Sequence, residues 1–180
     1  MKQAIKCPTY ETKSFLLRKL EKDDSEELFS CYSDPLAAKF FNGDNCGISF
    51  FYDDKDKFKE CVAYWLKAQE VNDFIRFTII SKANKRAVGT VEICPSSKYS
   101  YQGRKVGILR LDIKYEFETK PFMYELFGIL VSNLYKDFDV DYLITKAIPQ
   151  ALVRLDVLKE ENFMAISIGK VVPFENYYIR

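Results

Sequence analysis

The 180-residue sequence contains no histidine. That absence removes Ser-His-Asp and Cys-His nucleophilic machinery, and most catalytic zinc sites, in one step. Proton transfer must then fall to Asp, Glu, Tyr, Lys or Cys. Net charge is almost absent too: 27 basic and 26 acidic residues leave +1, which gives no support for nucleic acid or another polyanion as a partner. The densest basic run, KANKR from Lys82 to Arg86, reads as a solvated hairpin turn. No apolar run reaches the ~18 residues needed to span a bilayer, and the opening MKQAIKCPTYETK has no apolar leader. The five cysteines (Cys7, Cys31, Cys46, Cys61, Cys94) are scattered without a CxxC pair, so no zinc or redox motif is indicated. Reduced thiols in a cytoplasm are the default.

What the sequence has is apolar and aromatic bulk: 48% hydrophobic residues, including 15 Phe and 12 Tyr. That is enough for one globular domain spanning 1–180. Residues 12–20 (TKSFLLRKL) read as a first strand. A helix follows and stops near Ser33-Asp34-Pro35, because the residue before a proline resists helical geometry; a second short helix can start there. Phe58, Val62, Trp65 and Leu66 recur at i, i+4, i+7 and i+8, which predicts an amphipathic helix from about Asp54 to Glu70. FIRFTIIS (74–81) and AVGTVEIC (87–94) predict a β-hairpin. Pro95–Lys105 reads as a polar loop.

The stretch from Val106 to Phe138 organises the rest. VGILRLDIKY predicts a central strand with Leu109, Leu111, Ile113 and Tyr115 on one face and Arg110, Asp112 and Lys114 on the other. The turn EFETKP leads into a long helix, FMYELFGILVSNLYKDF. A strand feeding a helix N-terminus is a natural anion site, since free N–H groups and the helix dipole converge there. This turn, however, has no glycine and carries Glu116, Glu118 and Pro121. A strand at 141–148, a helix at 150–162 and two closing strands complete the chain. The expected fold is mixed α/β (α+β), with a mainly antiparallel central sheet of about seven strands flanked by about four helices.

Three stretches together resemble the GNAT superfamily of acyl-CoA-dependent N-acetyltransferases, in its ribosomal-protein-alanine acetyltransferase-like branch. TKSFLLRKLEKDDSEELFSCYSDP is similar to that branch's opening strand, helix and S-D-P. LDIKY stands in the place of A-E-I-G-Y, and FMYELFGILVSNLYKDF resembles the G-x-x-T-E-A helix, keeping Glu125 and Phe138.

The resemblance implies acetyl-CoA as co-substrate and an amine on a peptide or small molecule as acceptor, with direct attack on the thioester. It places the pantetheine arm along Ile113, Lys114 and Tyr115, where the fourth and fifth strands of the family part. The pyrophosphate would meet Thr119, Lys120, Phe122 and Met123. Thr119 can equally be a simple helix cap with Pro121 in the first turn. Asp112 is the first candidate general base and Glu92, on the neighbouring strand, the second; a structural ion cluster with Arg110 and Lys114 is the other reading of Asp112.

Leu158 takes the place of the family's thiolate-protonating tyrosine, leaving Tyr115, Tyr124 and Tyr142 as replacements. FFYDD and NYYIR could line an acceptor pocket or a homodimer interface, or simply pack. Departures cluster at the phosphate turn: Glu118 replaces Arg or Gln, Thr119 and Pro121 replace glycines, and Ala151, Arg154 and Asn162 replace the later N-x-x-S…G. Glycine permits close backbone approach and proline has no N–H to give. A GNAT-like module that binds a small ligand or a protein partner without catalysis is therefore the alternative.

Overall fold

The computed structural model describes residues 7–47 and 49–180. Residues 1–6, which begin the segment read above as lacking a leader, and residue 48 lie outside them. The elements in chain order are β1 (Tyr10–Glu11), β2 (Phe15–Lys19), α1 (Asp24–Tyr32), α2 (Pro35–Ala38), α3 (Lys55–Glu70), β3 (Ile75–Ser81), β4 (Ala87–Tyr101) and β5 (Arg104–Ile113). A 3₁₀ turn (Tyr115–Phe117) then leads to α4 (Lys120–Asp137), β6 (Tyr142–Lys146), α5 (Leu152–Glu160), β7 (Met164–Ile166) and β8 (Tyr177–Ile179). The sheet order is β1-β2-β3-β4-β5-β6-β8-β7. Among the described residues only the β5–β6 pair is parallel.

Strand alternation sets the two faces of this sheet. Phe77, Ile79, Val91, Ile93, Leu109, Leu111 and Ile113 pack with Met123, Leu126, Leu130 and Leu134 of α4 and with Val157 and Leu158 of α5. On the opposite face Tyr32 of α1 and Phe58, Val62 and Trp65 of α3 form a second cluster. There the strands contribute Arg76, Thr78, Thr90, Glu92 and Asp112, all buried. One face is therefore oily, while the other is a polar row under an aromatic lid. Helix α3 starts where its sequence directs: the Asp54 carboxylate accepts from the N–H groups of Asp56 (2.8 Å) and Lys57 (3.2 Å), satisfying two donors of the first turn.

The sheet has eight strands and the described residues hold five helices, slightly more than the sequence suggests. Residues 12–20 belong to a small hairpin, β1–β2, with Tyr10 opposite Leu17. Pro95–Lys105 is not a loop. β4 runs on to Tyr101 and turns through Gln102 and Gly103, both at positive φ, into β5 at Arg104. This outer ribbon is largely exposed, so it carries no apolar alternation, and Pro95 and the serines gave it a loop's composition. Tyr115 leaves the strand alternation for the 3₁₀ turn.

Candidate functional site at the parted strands

β5 pairs with β4 from Arg104 to Ile113. Its pairing with β6 covers only Val106↔Tyr142 to Leu109↔Thr145. From Arg110 onward the two parallel strands separate, and the β6-facing edge of β5 has no strand partner among the described residues. Backbone polar groups released inside a protein need other partners. Here Arg154 of α5 supplies one: its Nη1 donates to the Leu111 carbonyl (2.9 Å) and to the Phe40 carbonyl (3.2 Å). Its Nε donates to both Glu118 oxygens (3.0 and 3.2 Å), and Nη2 pairs with Glu118 as well. Their side chains are 4% and 6% exposed.

Arg154 thus ties together β5, the segment after α2 and the turn before α4. Its guanidinium also lies 5.8 Å from the Phe40 ring centroid, and Phe40 stacks on Tyr115 (6.3 Å, 13° between planes). A hollow of about 210 Å³ opens alongside, lined by Phe40, Tyr115, Glu118 and Gln150–Val153.

The polar row lies on the other side of β5, and the strand register assembles it. Arg76, Glu92 and Arg110 are neighbours across β3, β4 and β5, and so are Thr78, Thr90 and Asp112. Arg76, with 0% exposure, donates through Nη1 to the Tyr32 hydroxyl (3.0 Å), Thr90 Oγ1 (2.9 Å) and Asp112 Oδ2 (3.2 Å). Its Nη2 pairs with Glu92, and its guanidinium carbon lies 3.9 Å from the Trp65 ring centroid, a cation–π contact. Arg110 Nη1 holds the other Glu92 oxygen (2.7 Å) and its Nη2 the Asp44 carbonyl (2.7 Å). Burial opposes the charge on Arg76, but Glu92, Tyr32 and Asp112 outweigh it and raise its pKa.

Asp112 therefore sits in an ion cluster, with partners other than those its strand neighbours suggest. Arg76 reaches it from two strands away, while Arg110 turns to Glu92. Burial pushes the Asp112 carboxyl up from the ordinary carboxylate range despite Arg76, the Tyr32 hydroxyl and Arg154, and Asp112 Oδ1 is buried without a hydrogen-bond partner among the described residues. Asp112 borders neither of the two clefts on this side. One, of about 430 Å³, is lined by Asn45, Cys46, Phe50, Cys61, Tyr64, Trp65, Phe74, Arg76, Glu92 and Arg110. The other, of about 660 Å³, shares Asn45 and Arg110 with it and runs over Cys94–Tyr99. Of the two candidate carboxylates, Glu92 is the one at a cleft wall.

At the α4 N-terminus, several of the candidate residues have partners within the chain. Thr119 occupies the N-cap position without a side-chain capping bond, and Pro121 lies in the first turn. The Met123 N–H is taken by the Thr119 carbonyl (2.9 Å), and the Met123 side chain is in the core. The Lys120 ammonium pairs with Glu160 (2.5 Å), and Phe122 packs edge-on against Phe15. Ile113 is buried, and the Lys114 N–H bonds the Val88 carbonyl (2.9 Å), which extends the β4 pairing. Glu125 accepts from the Ser14 N–H (2.6 Å) and hydroxyl (2.8 Å), pinning α4 to the β1–β2 turn.

Among the tyrosines, only Tyr115 borders the hollow. Tyr124 is exposed on α4, and Tyr142 packs edge-on against Tyr101 (5.0 Å). In FFYDD, Phe50 packs on Trp65 and Tyr52 on Phe58; in NYYIR, the Tyr177 hydroxyl accepts from Asn42 (2.9 Å).

Arg154 is the residue that sequence reasoning passed over as a site residue. Its signal was its phase: Ala151, Arg154 and Leu158 fall on one helix face at spacings of three and four, so a buried arginine there demands an acid.

An eight-stranded, mainly antiparallel sheet that parts between two parallel central strands, with helices on both faces, is the fold also seen in solved GNAT acetyltransferases. Solved structures share this architecture over nearly the whole chain. The ribosomal-protein-alanine acetyltransferase from Vibrio fischeri is 14% identical, with 96% of each chain covered and a TM-score of 0.68. A ribosomal-protein α-N-acetyltransferase solved with coenzyme A is 10% identical, covering 96% of this chain and 97% of that one at a TM-score of 0.72. A GNAT acetyltransferase from Bacillus anthracis is 16% identical, covering 96% and 98%, at 0.69. No protein-family model and no curated protein matches the sequence. No helix among the described residues is long and apolar enough to cross a membrane.

Proposed function

We propose that this chain is an N-acyltransferase that moves an acetyl group from acetyl-CoA to the amine of a peptide or small molecule. The observation that carries this reading is the released edge of β5 from Arg110 to Ile113, with the hollow beside Tyr115 on one flank and the joined clefts at Arg110 on the other. A donor and an acceptor could approach one strand segment from opposite sides. The backbone suits a pantetheine arm, which needs an unpaired strand edge. The side chains do not suit it in this conformation, because Arg154 already holds the Leu111 carbonyl and Glu118 stands before the α4 N-terminus.

Within the acceptor clefts, this reading gives Glu92 the cleft-side carboxylate and Asp112 the positioning of Arg76 and Tyr32 behind it. This reading expects a reducing cytoplasm, where thiols stay reduced.

A thermal-shift titration with acetyl-CoA tests the proposal: a ligand at ~100 times its dissociation constant adds about 2.7 kcal/mol of stability. Amine-dependent release of coenzyme A should accompany it. No shift at millimolar acetyl-CoA would sink the transferase reading. The filled edge of β5 specifically favours a second reading, a non-catalytic module that binds a small ligand or a protein partner. Binding without release of coenzyme A under any amine would select it.

A further inference from the structure

We infer that Arg154 and Glu118 form an internal latch across the parted strands, a pseudo-ligand that acyl-CoA must displace; this rests on the transferase reading above. Three observations carry it. The first is position: Arg154 bonds the Leu111 carbonyl exactly where β6 has withdrawn, so the arginine takes the backbone acceptor that an incoming amide would need. The second is connection. The same guanidinium holds Glu118 at the entrance to α4 and the Phe40 carbonyl after α2, so one side chain closes the groove from three sides. The third is room: the hollow lined by Phe40, Tyr115, Glu118 and Gln150–Val153 adjoins the pair, giving the latch somewhere to open.

The latch is selective in its chemistry. Glu118 presents Arg154 with an acidic fork, and a pyrophosphate offers the same kind of bidentate oxygen pair with more charge. An uncharged ligand has nothing to exchange for Glu118, so phosphate-bearing thioesters are favoured over phosphate-free pantetheine analogues. No bond forms or breaks in this step; one ion pair is traded for another.

The apparent affinity of a ligand for a closed site is reduced by the fraction of molecules that are open. If about a tenth of molecules are open, removing the latch raises affinity about tenfold. The test is calorimetric titration of the full chain with coenzyme A, comparing wild type with Glu118→Gln, which removes the acidic partner and leaves Arg154 for the pyrophosphate. The folded variant should bind about tenfold more tightly than wild type.

Equal or weaker binding by a variant with native circular dichroism and a cooperative melt overturns the latch. Should Glu118→Gln fail to fold, Glu118→Ala removes the same charge, and it too must bind more tightly than wild type. If wild type binds and neither variant binds better, the latch falls while the transferase reading stands. If none binds at millimolar coenzyme A, both fall.

Discussion

The two halves of β5 have the same neighbour on one edge and different neighbours on the other. From Val106 to Leu109 the strand is held by β4 and β6. From Arg110 to Ile113 it keeps β4 alone, and its free edge is met by a single arginine rather than by a strand. A ladder distributes its bonds over many residues, whereas the arginine concentrates them in one side chain that can move. The closed half builds the sheet, and the open half is where a ligand could replace what is there.

Substitutions can break this contrast, and the largest effect belongs to the open half. Arg154→Ala leaves a buried Glu118 and the Leu111 carbonyl without their partner. A loss of about 3–5 kcal/mol is expected in denaturant unfolding, and most of it should return when Glu118→Gln is added. Equal stability of the single and double variants would show that the pair is not coupled.

Gly89→Ala comes next. Its Cβ would lie 2.2 Å from the Asp112 carbonyl oxygen and 2.7 Å from the Ile113 Cα, backbone that cannot step aside, so a loss of about 3 kcal/mol is expected. Gly107→Ala is the counterpart in the closed half. There the new methyl meets side-chain ends of Ile93 (2.9 Å), Leu143 and Val140 (both 3.2 Å), which can shift, and a loss of about 1 kcal/mol follows. Chemical denaturation of the two variants ranks them, and the reverse order would contradict the close approach of β4 to the open half.

The smallest effect is a difference in sign. Burial works against the Asp24 carboxylate, but Arg18 (2.6 and 2.9 Å), Thr78 and the Glu21 N–H hold its pKa below the ordinary value. Its stabilisation is present above the unfolded carboxylate pKa and is lost as pH falls through the lowered folded value. Asp112 is shifted the other way by burial, so its ionisation weakens the fold as pH rises through the raised value. Asp24→Asn should therefore cost most near neutral pH and least in acid, while Asp112→Asn compares progressively better with wild type as pH rises. Melting temperatures across pH 3–7 check both; parallel curves for the two variants would remove the distinction.

Periodic features were legible in the sequence. The 3.6-residue repeat through Phe58, Val62 and Trp65 gave α3, and the alternation of Leu109, Leu111 and Ile113 against Arg110 and Asp112 gave the two faces of β5. The resemblance supplied the fold and the place where the strands part. Pairings between distant segments were not legible. Glu118 and Arg154 are 36 residues apart, and nothing local marks them as partners. Asp112 looked as though Arg110 and Lys114 would surround it, because neighbours on one strand face are visible in a sequence. The register that brings Arg76 across β4 is not. Glu125 shows the limit of matching residue types: it is the same amino acid as in the family pattern, and here it fastens Ser14.

The most direct measurement of the latch is the arginine side-chain NMR spectrum of the nitrogen-15-labelled protein, followed during titration with coenzyme A. The account predicts an Arg154 Nε–H resonance that is protected from solvent exchange in the free protein by Glu118, and that shifts or is lost in proportion to the bound fraction. A resonance that exchanges in the free protein as fast as that of an exposed arginine, or one that stays unchanged while coenzyme A saturates the protein, would contradict it.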